Sequence, residues 1–187
     1  MSQRVILVHG WDGSPENAWF PWLKDELEQR GYEVFVPAMP DPEHPEPVAW
    51  VSQLENIVGS VDVDTHFVGH SIGCQAIMRF LAENIGNVGM VVLVAGFFEL
   101  VDLETQEEKE IWQRWADRPF DASKLSEQTK QVVAILSDDD SDVVLAPSKE
   151  KFEAIGAKVI VESGMGHFDD SRGIKELPSV LKEFDYV

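Results

Sequence analysis

The sequence has 187 residues, the length of one ordinary domain, and at that size a folded unit buries about 70% of the surface that its unfolded chain exposes. With 44% hydrophobic and 26% charged residues, its composition argues against a disordered chain or a fibrous repeat. The 15 lysines and arginines against 34 aspartates and glutamates give a formal net charge of −19. This charge argues against nucleic acid or an anionic membrane as a partner, because both would be repelled.

Short β-branched runs alternate along the chain with longer amphipathic stretches, a pattern typical of βα units and a mostly parallel sheet. Six strands are predicted, at Arg4–Val8, Glu33–Val36, Thr65–Val68, Val91–Val94, Val132–Leu136 and Val159–Val161. Helices are predicted from Ser14-Pro15 to Gly31 and over Val48–Val58, Ile72–Asn84, Ser148–Ile155 and Ile174–Phe184. The pattern indicates a single α/β domain spanning residues 1–187, with helices on both faces of the sheet.

The stretch Gly96–Lys130 has no strand signal and is longer than an ordinary crossover helix requires. Within it Ile111, Trp112 and Trp115 fall on one helical face, which gives the segment an apolar side to bury. We therefore expect a helical excursion over one edge of the sheet.

The strongest local signal is a G-x-S-x-G pattern at residues 69–73, placed between a predicted strand and a predicted helix. A serine on a strained strand-to-helix turn stands clear of the backbone, and the flanking glycines allow neighbouring segments to approach. The turn also places the amides of Ile72 and Gly73 at a helix start, where they can face an oxyanion. This context favours Ser71 as a nucleophile over a serine that merely caps the helix.

A serine nucleophile needs a base, and His167 is the best-placed histidine. It lies in a glycine-rich loop after the last predicted strand, and the carboxyl ends of parallel strands share one edge of the sheet with Ser71. His44, in a proline-rich loop, and His66, near a strand start, are better interpreted as surface or core histidines.

The acid that orients the imidazole should follow the strand that ends at Leu136. Four aspartates lie there, and spacing alone does not choose among them: Asp138, Asp139, Asp140 and Asp142. Three of them match the start of a calcium loop, but Val143 replaces its glycine and Lys149 its glutamate, so calcium binding is disfavoured. At least two of the four should simply form a solvated acidic turn.

The chain order of serine, acid and histidine is that of the α/β-hydrolase fold. Motifs spread over nearly the whole chain resemble the small α/β-hydrolases of the retinoblastoma-binding-protein and bacterial YdeN-like serine hydrolase family. These motifs are His9-Gly10-Trp11, Trp19–Leu23, Met39-Pro40 with Pro42 and Trp50, Gly69–Cys74, Ser137–Val143 and Gly166–Phe168. The resemblance implies a reduced α/β-hydrolase fold that lacks the first strands of larger relatives.

The resemblance also implies roles for particular residues. In this family the catalytic acid is found with a D-x-x-V run, and Asp140-Ser141-Asp142-Val143 fits that run. The resemblance therefore points to Asp140 as the acid, with Asp139 as the second choice. The loop after the first strand is implied to supply one oxyanion donor, the amide of Trp11, beside the amide of Ile72. A tryptophan there would narrow the site, so we expect a small acyl group.

Other chemistry is less well supported. The Gly10–Gly13 loop lacks the third glycine and the lysine of nucleotide-binding loops, and Cys74 is interpreted as a packing residue outside any disulfide or metal pattern. No cofactor or metal is therefore expected. The aromatic residues Trp11, Phe97 and Trp115 are predicted to form walls of the substrate pocket.

The sequence thus predicts a serine hydrolase that cleaves a small carboxylic ester or related acyl compound through an acyl-enzyme intermediate. The alternative is a non-catalytic protein-binding module that retains the fold, although the sequence indicates no protein partner. The first apolar run, at Val5–Val8, is too short for a signal sequence or a membrane span, so a cytoplasmic location is expected.

Overall fold

The computed structural model describes residues 3–84, 86–100 and 103–186, with only the backbone of Tyr186. Positions 101–102 of the predicted excursion lie outside the described residues. Six β-strands are present in the described part of the chain: β1 Arg4–Val8, β2 Glu33–Phe35, β3 Thr65–His70, β4 Val88–Val94, β5 Thr129–Ser137 and β6 Lys158–Glu162. They form one sheet in the order β2-β1-β3-β4-β5-β6, and each neighbouring pair is parallel. The predicted six-stranded α/β fold is confirmed.

Helices cover both faces of this sheet, also as predicted. The α-helices of the described residues are α1 Phe20–Gln29, α2 Pro47–Val58, α3 Ile72–Glu83, α4 Gln106–Ala116, α5 Ser123–Gln128, α6 Leu145–Ala154 and α7 Pro178–Glu183. Residues of α1 and α7 pack in one apolar core, and residues of α2 to α6 pack on the other side. None of these helices combines the length and apolarity that a membrane crossing requires. The cytoplasmic location stays a prediction.

The two cores are separated by the alternation of side chains along each strand. In β1, Ile6 and Val8 join the core under α2 and α3, whereas Val5 and Leu7 join the core under α1 and α7. All four are fully buried, and burial on both faces explains why the strands appear in the sequence as continuous apolar runs.

The first helix begins later than its predicted Ser14-Pro15 start. Ser14 instead forms a turn with Asn17, and the backbone at Ala18 has a positive φ of 50°, which no helix continues. The helix starts at Phe20, with a proline in its first turn. The interruption has a function in the fold, because the freed amide of Ala18 donates a hydrogen bond to Asp170.

The excursion lies over a face of the sheet, whereas we expected it over an edge. The indole of Trp115 on α4 packs edge-on against Trp50 of α2, and its Nε1 donates to the carbonyl of Pro45. The guanidinium of Arg79, on α3, donates to the carbonyl of Trp115. These contacts attach α4 to the helical layer, because its buried apolar side chains find their partners there and not at an edge strand.

The parallel sheet positions the candidate site. The chain leaves β1 toward β2 on one side and returns to β3 on the other, so the carboxyl ends of β1 and β3 flank a crevice. In open α/β sheets this is where ligands bind. The loop after β1 and the G-x-S-x-G turn after β3 both lie there.

The packing of Trp115 gives a testable prediction. Replacing this fully buried indole by alanine should lower the free energy of unfolding by about 3–5 kcal/mol, measured by chemical denaturation. Trp112→Ala is the matched control: this side chain is only partly buried, and its loss should cost about 1 kcal/mol. Equal losses for the two variants would contradict the packing of α4 against the helical layer through Trp115.

Candidate active site

The G-x-S-x-G turn has the strained geometry that its sequence predicts. Ser71 has φ 53° and ψ −124°, and its amide donates to the carbonyl of Val94 at 2.9 Å. A Cβ at Gly69 would lie 2.9 Å from the Cys74 amide nitrogen, and one at Gly73 would lie 2.5 Å from the His9 carbonyl oxygen. Both glycines are therefore required by close backbone approach, and the turn raises the Ser71 hydroxyl above the sheet edge.

A continuous chain of hydrogen bonds joins the three residues predicted as nucleophile, base and acid. The Ser71 Oγ lies 2.9 Å from Nε2 of His167, and Nδ1 of His167 lies 3.0 Å from both carboxylate oxygens of Asp140. The carboxylate of Asp140 is 2% exposed, so solvent does not compete for the imidazole. In this arrangement Nδ1–H donates to the carboxylate and Nε2 is free to accept the serine proton.

Geometry separates Asp140 from its neighbours in the acidic run. The amides of Asp142 and Val143 donate to Asp140 Oδ1 at 2.9 and 3.1 Å, which fixes the carboxylate toward the imidazole. Asp139 instead accepts from the Gly166 amide and pairs with Arg172. Asp140 is thus the carboxylate that contacts His167, whereas Asp139 anchors the loop that carries it.

The electrostatic setting of His167 favours its charged form. Burial of the imidazole disfavours the charge, but the hydrogen bond and negative charge of Asp140, with the charges of Asp142 and Asp169, outweigh it. The pKa of His167 is therefore raised above its ordinary value. Oxygen and nitrogen ligand atoms of Asp140, Asp142 and His167 also lie within 4.8 Å of one another. Because Asp140 already binds Nδ1–H and Nε2 faces Ser71, the geometry fits proton transfer better than cation binding.

Two backbone amides near Ser71 are the predicted oxyanion donors. Trp11 and Ile72 have no hydrogen-bond acceptor for their N–H groups among the described residues, and both belong to segments beside Ser71. A Cβ at Gly10 would lie 3.1 Å from the Ser71 Cβ, so glycine lets the β1 loop reach the turn. His9 fixes this loop, since its Nε2 accepts from the Met39 amide at 3.0 Å.

Two further residues position His167, and neither was identified as a site residue from the sequence. His70 Nε2–H donates to the carbonyl of His167 at 2.7 Å, and Trp19 Nε1–H donates to the carbonyl of Phe168 at 2.9 Å. Burial, together with the nearby charge of His167, lowers the pKa of His70 to about 4, so it stays neutral at physiological pH. Two signals in the sequence could have identified these residues: His70 directly precedes the serine in the G-x-S-x-G pattern, and Trp19 belongs to the tryptophan-rich segment of the predicted first helix.

A cleft of about 1290 Å³ opens beside Ser71 and His167. Trp11 lines it as predicted, and its Nε1 donates to the carbonyl of Glu43 at 2.9 Å. Phe97 and Trp115 do not line it, so their prediction as pocket walls has to be corrected: both are fully buried in the core, where area burial is largest for such rings. The small acyl group suggested by the presence of Trp11 stays a prediction.

The sheet order, the strained serine turn and the hydrogen-bonded serine, histidine and carboxylate define the class of α/β-hydrolase proteins. The serine hydrolase family profile matches residues 5–186. YdeN of Bacillus subtilis (strain 168) is 33% identical over 184 residues, which cover 96% of this chain and 93% of YdeN. The chain therefore belongs to the serine hydrolase family, and the predicted resemblance is confirmed.

Other similarities agree with this assignment. Serine hydrolase RBBP9 of Rattus norvegicus is 25% identical, covering 96% of this chain and 94% of RBBP9. The crystal structure of the ydeN gene product has a TM-score of 0.89 at 30% identity, covering 99% of this chain and 98% of that one. Est1E from Butyrivibrio proteoclasticus, at 15% identity, covers 98% and 88% with a TM-score of 0.69, and so shows the fold alone. The protein is a serine hydrolase, and the non-catalytic alternative is not favoured.

The contact between Asp140 and His167 predicts the titration of the imidazole. In the native protein the pKa of His167, followed by NMR of its ring nitrogens, should lie above the ordinary 6.5. Asp140→Asn should lower it, because the charge and the acceptor that stabilise the imidazolium are both weakened. Asp138→Asn is the control, since Asp138 bonds the Gly164 amide and not the ring. A larger shift in the control would exclude Asp140 as the partner of the imidazole.

Proposed function

We propose that this serine hydrolase cleaves carboxylic esters, with Ser71 as nucleophile, His167 as general base and acid, and Asp140 as the orienting carboxylate. The unbroken hydrogen-bond chain from Asp140 through His167 to Ser71, at 3.0 and 2.9 Å, carries this proposal. The amides of Trp11 and Ile72 are proposed as the oxyanion hole, because both are near the hydroxyl and neither has an acceptor among the described residues.

The first half of the proposed reaction forms the acyl-enzyme. Ser71 Oγ attacks the ester carbonyl carbon while its proton passes to Nε2 of His167, and the carbonyl oxygen becomes an oxyanion facing the two amides. Asp140 stabilises the resulting imidazolium, in accord with the raised pKa of His167. When the tetrahedral intermediate collapses, the C–O bond to the alcohol breaks and His167 returns the proton to the leaving alkoxide.

The second half releases the acid. Water attacks the acyl carbon and gives a proton to His167, and collapse breaks the bond to Ser71 Oγ, which regains that proton. The strained backbone at Ser71 supports both halves of the reaction, since it holds the Ser71 hydroxyl 2.9 Å from Nε2 of His167 with no loop movement needed.

An acyl substrate fits the cleft and the related fold. Leu100, Leu103 and Ile111 give the cleft an apolar side beside the nucleophile, where the carbon chain of an acyl or alcohol group can bind. Ferulic acid, the compound bound in the solved Est1E structure, is a carboxylic acid, the product class that ester hydrolysis releases. We propose a small molecule as the substrate, since the acidic chain argues against nucleic acid and anionic membranes.

Covalent labelling tests the nucleophile. A fluorophosphonate probe should label the wild-type protein and fail to label Ser71→Ala, with one adduct located on Ser71 by mass spectrometry. Ser71→Ala should also lose hydrolysis of simple esters by at least about 10³-fold. Ser71→Ala keeps the fold if its circular dichroism is unchanged. A correctly folded wild type that stays unlabelled across pH 6–9 would instead support the protein-binding module.

Turnover of aspartate variants tests the acid. Asp140→Asn should lower kcat by about 10³–10⁴-fold, because the imidazole loses both its orientation and the stabilisation of its charged form. Asp142→Asn, an exposed carboxylate 3.8 Å from Nδ1, should stay within about fivefold of the wild type. The wild-type kcat/KM should fall at low pH with an apparent pKa above 6.5, because a protonated imidazole in the free enzyme accepts no proton. A larger loss in Asp139→Asn than in Asp140→Asn would move the assignment to Asp139.

A further inference from the structure

The cleft beside Ser71 is strongly acidic. Eight carboxylate residues line it, and the described residues contribute no lysine or arginine: Asp12, Glu43, Glu104, Glu107, Glu108, Asp142, Asp169 and Asp170. Walls of one sign of charge focus the electric field and raise the local concentration of ligands of the opposite charge. The nucleophile and two unbonded amides open into this cleft, so the charge surrounds a site that receives a ligand.

Three of these carboxylates have no polar partner among the residues that the structure describes. Asp170 pairs with Lys175, Glu107 binds His44, and the Glu108 side chain accepts the backbone amides that begin α4. By contrast, the side chains of Asp12, Glu43 and Glu104 have neither a hydrogen-bond donor nor an ion-pair partner in the part of the chain that the structure describes. All three residues are exposed, and no lysine or arginine of the described residues pairs with their side chains.

The three carboxylates lie on separate segments, and the segments of Asp12 and Glu43 are hydrogen-bonded to each other at the cleft. The Asp12 amide donates to the carbonyl of Pro42 at 2.9 Å, and the Trp11 indole donates to the carbonyl of Glu43. Asp12 and Glu43 are thereby held beside the proposed oxyanion amide of Trp11. Glu104 precedes α4, and its own amide donates to Glu108 at 2.8 Å. The carboxylates that give the cleft its negative charge thus lie on segments held by hydrogen bonds and not on an unstructured acidic tail.

We infer that this cleft selects acyl substrates that carry a positive charge, an ester with an ammonium group in its acyl or alcohol part; this rests on the proposed ester hydrolase function. The ammonium would lie among Asp12, Glu43 and Glu104, where the indole of Trp11 offers the aromatic surface that cations favour most. A substrate cation also offsets the negative surroundings in which the tetrahedral oxyanion has to form. Anionic esters are disfavoured by the same field.

Matched esters test the inference. Acetylcholine and its uncharged isostere 3,3-dimethylbutyl acetate differ in the charge of one atom, and monoethyl succinate supplies the anionic case. The kcat/KM of the wild type for acetylcholine should exceed that for the isostere by about tenfold or more at low ionic strength, with the succinate ester the poorest. The ratio should fall as salt rises to about 0.5 M, because salt screens charges in an open cleft.

Variants locate the effect. The triple variant Asp12→Asn, Glu43→Gln, Glu104→Gln should lower the ratio of the cationic to the neutral ester toward one. The control triple variant Asp25→Asn, Glu127→Gln, Glu150→Gln changes the net charge by the same amount at exposed positions outside the cleft, and should keep the wild-type ratio. A control that lowers the ratio equally would show an effect of net charge and overturn the inference.

The two proposals fail in different ways. Ser71-dependent hydrolysis of the neutral ester, with no preference for the cationic ester and no salt dependence in the wild type, would refute the cationic specificity and leave the ester hydrolase in place. If no ester is cleaved and the fluorophosphonate probe leaves Ser71 unlabelled, the proposed hydrolase function is wrong, and the specificity with it. The wild-type salt series decides the matter even where the triple variant fails to fold.

Discussion

The structure depends on one imidazole that has to form hydrogen bonds with two partners from different strands at once. His167 follows β6, its carboxylate partner follows β5, and its hydroxyl partner follows β3. A hydrogen bond weakens when its donor–acceptor distance exceeds the optimum by more than a few tenths of an ångström. The three segments that follow these strands therefore have to be placed to that accuracy. A parallel sheet provides the common edge, but it does not by itself hold a glycine-rich loop in position.

The loop that carries His167 is held from three directions. From the β5 side, Asp138 and Asp139 accept the amides of Gly164 and Gly166. From the serine turn, His70 binds the carbonyl of His167 itself, and from the segment before α1, Trp19 binds the next carbonyl. We expected at least two of the four aspartates of this run to form only a solvated turn, but Asp138 and Asp139 are both part of the support, because loop amides need acceptors once they leave a strand.

The sequence was sufficient for features that depend on regular periodicity or on a required backbone geometry. The strand pattern predicted the sheet, and the G-x-S-x-G turn and the loop after the last strand predicted Ser71 and His167. Spacing did not separate Asp140 from Asp139, because adjacent carboxylates differ only in which way the turn directs them. Nor did it place Phe97 and Trp115, since a large aromatic residue suits a core and a pocket equally well. Both are decided by packing between distant segments.

The distribution of charge connects the support of the site with its proposed selectivity. The carboxylates behind the net charge of −19 have different roles. Some hold the loop of His167, one contacts its imidazole, and others line the cleft without a lysine or arginine partner among the described residues. The negative charges around the site stabilise the imidazolium of His167 and destabilise the oxyanion, although both charges form in the same step. Backbone amides offset the second effect at the reacting oxygen, because their positive ends are fixed before reaction and need no counter-ion. The electric field of the unpaired cleft carboxylates therefore acts mainly on the charge of the substrate. For this reason these carboxylates affect substrate specificity more than the chemical step.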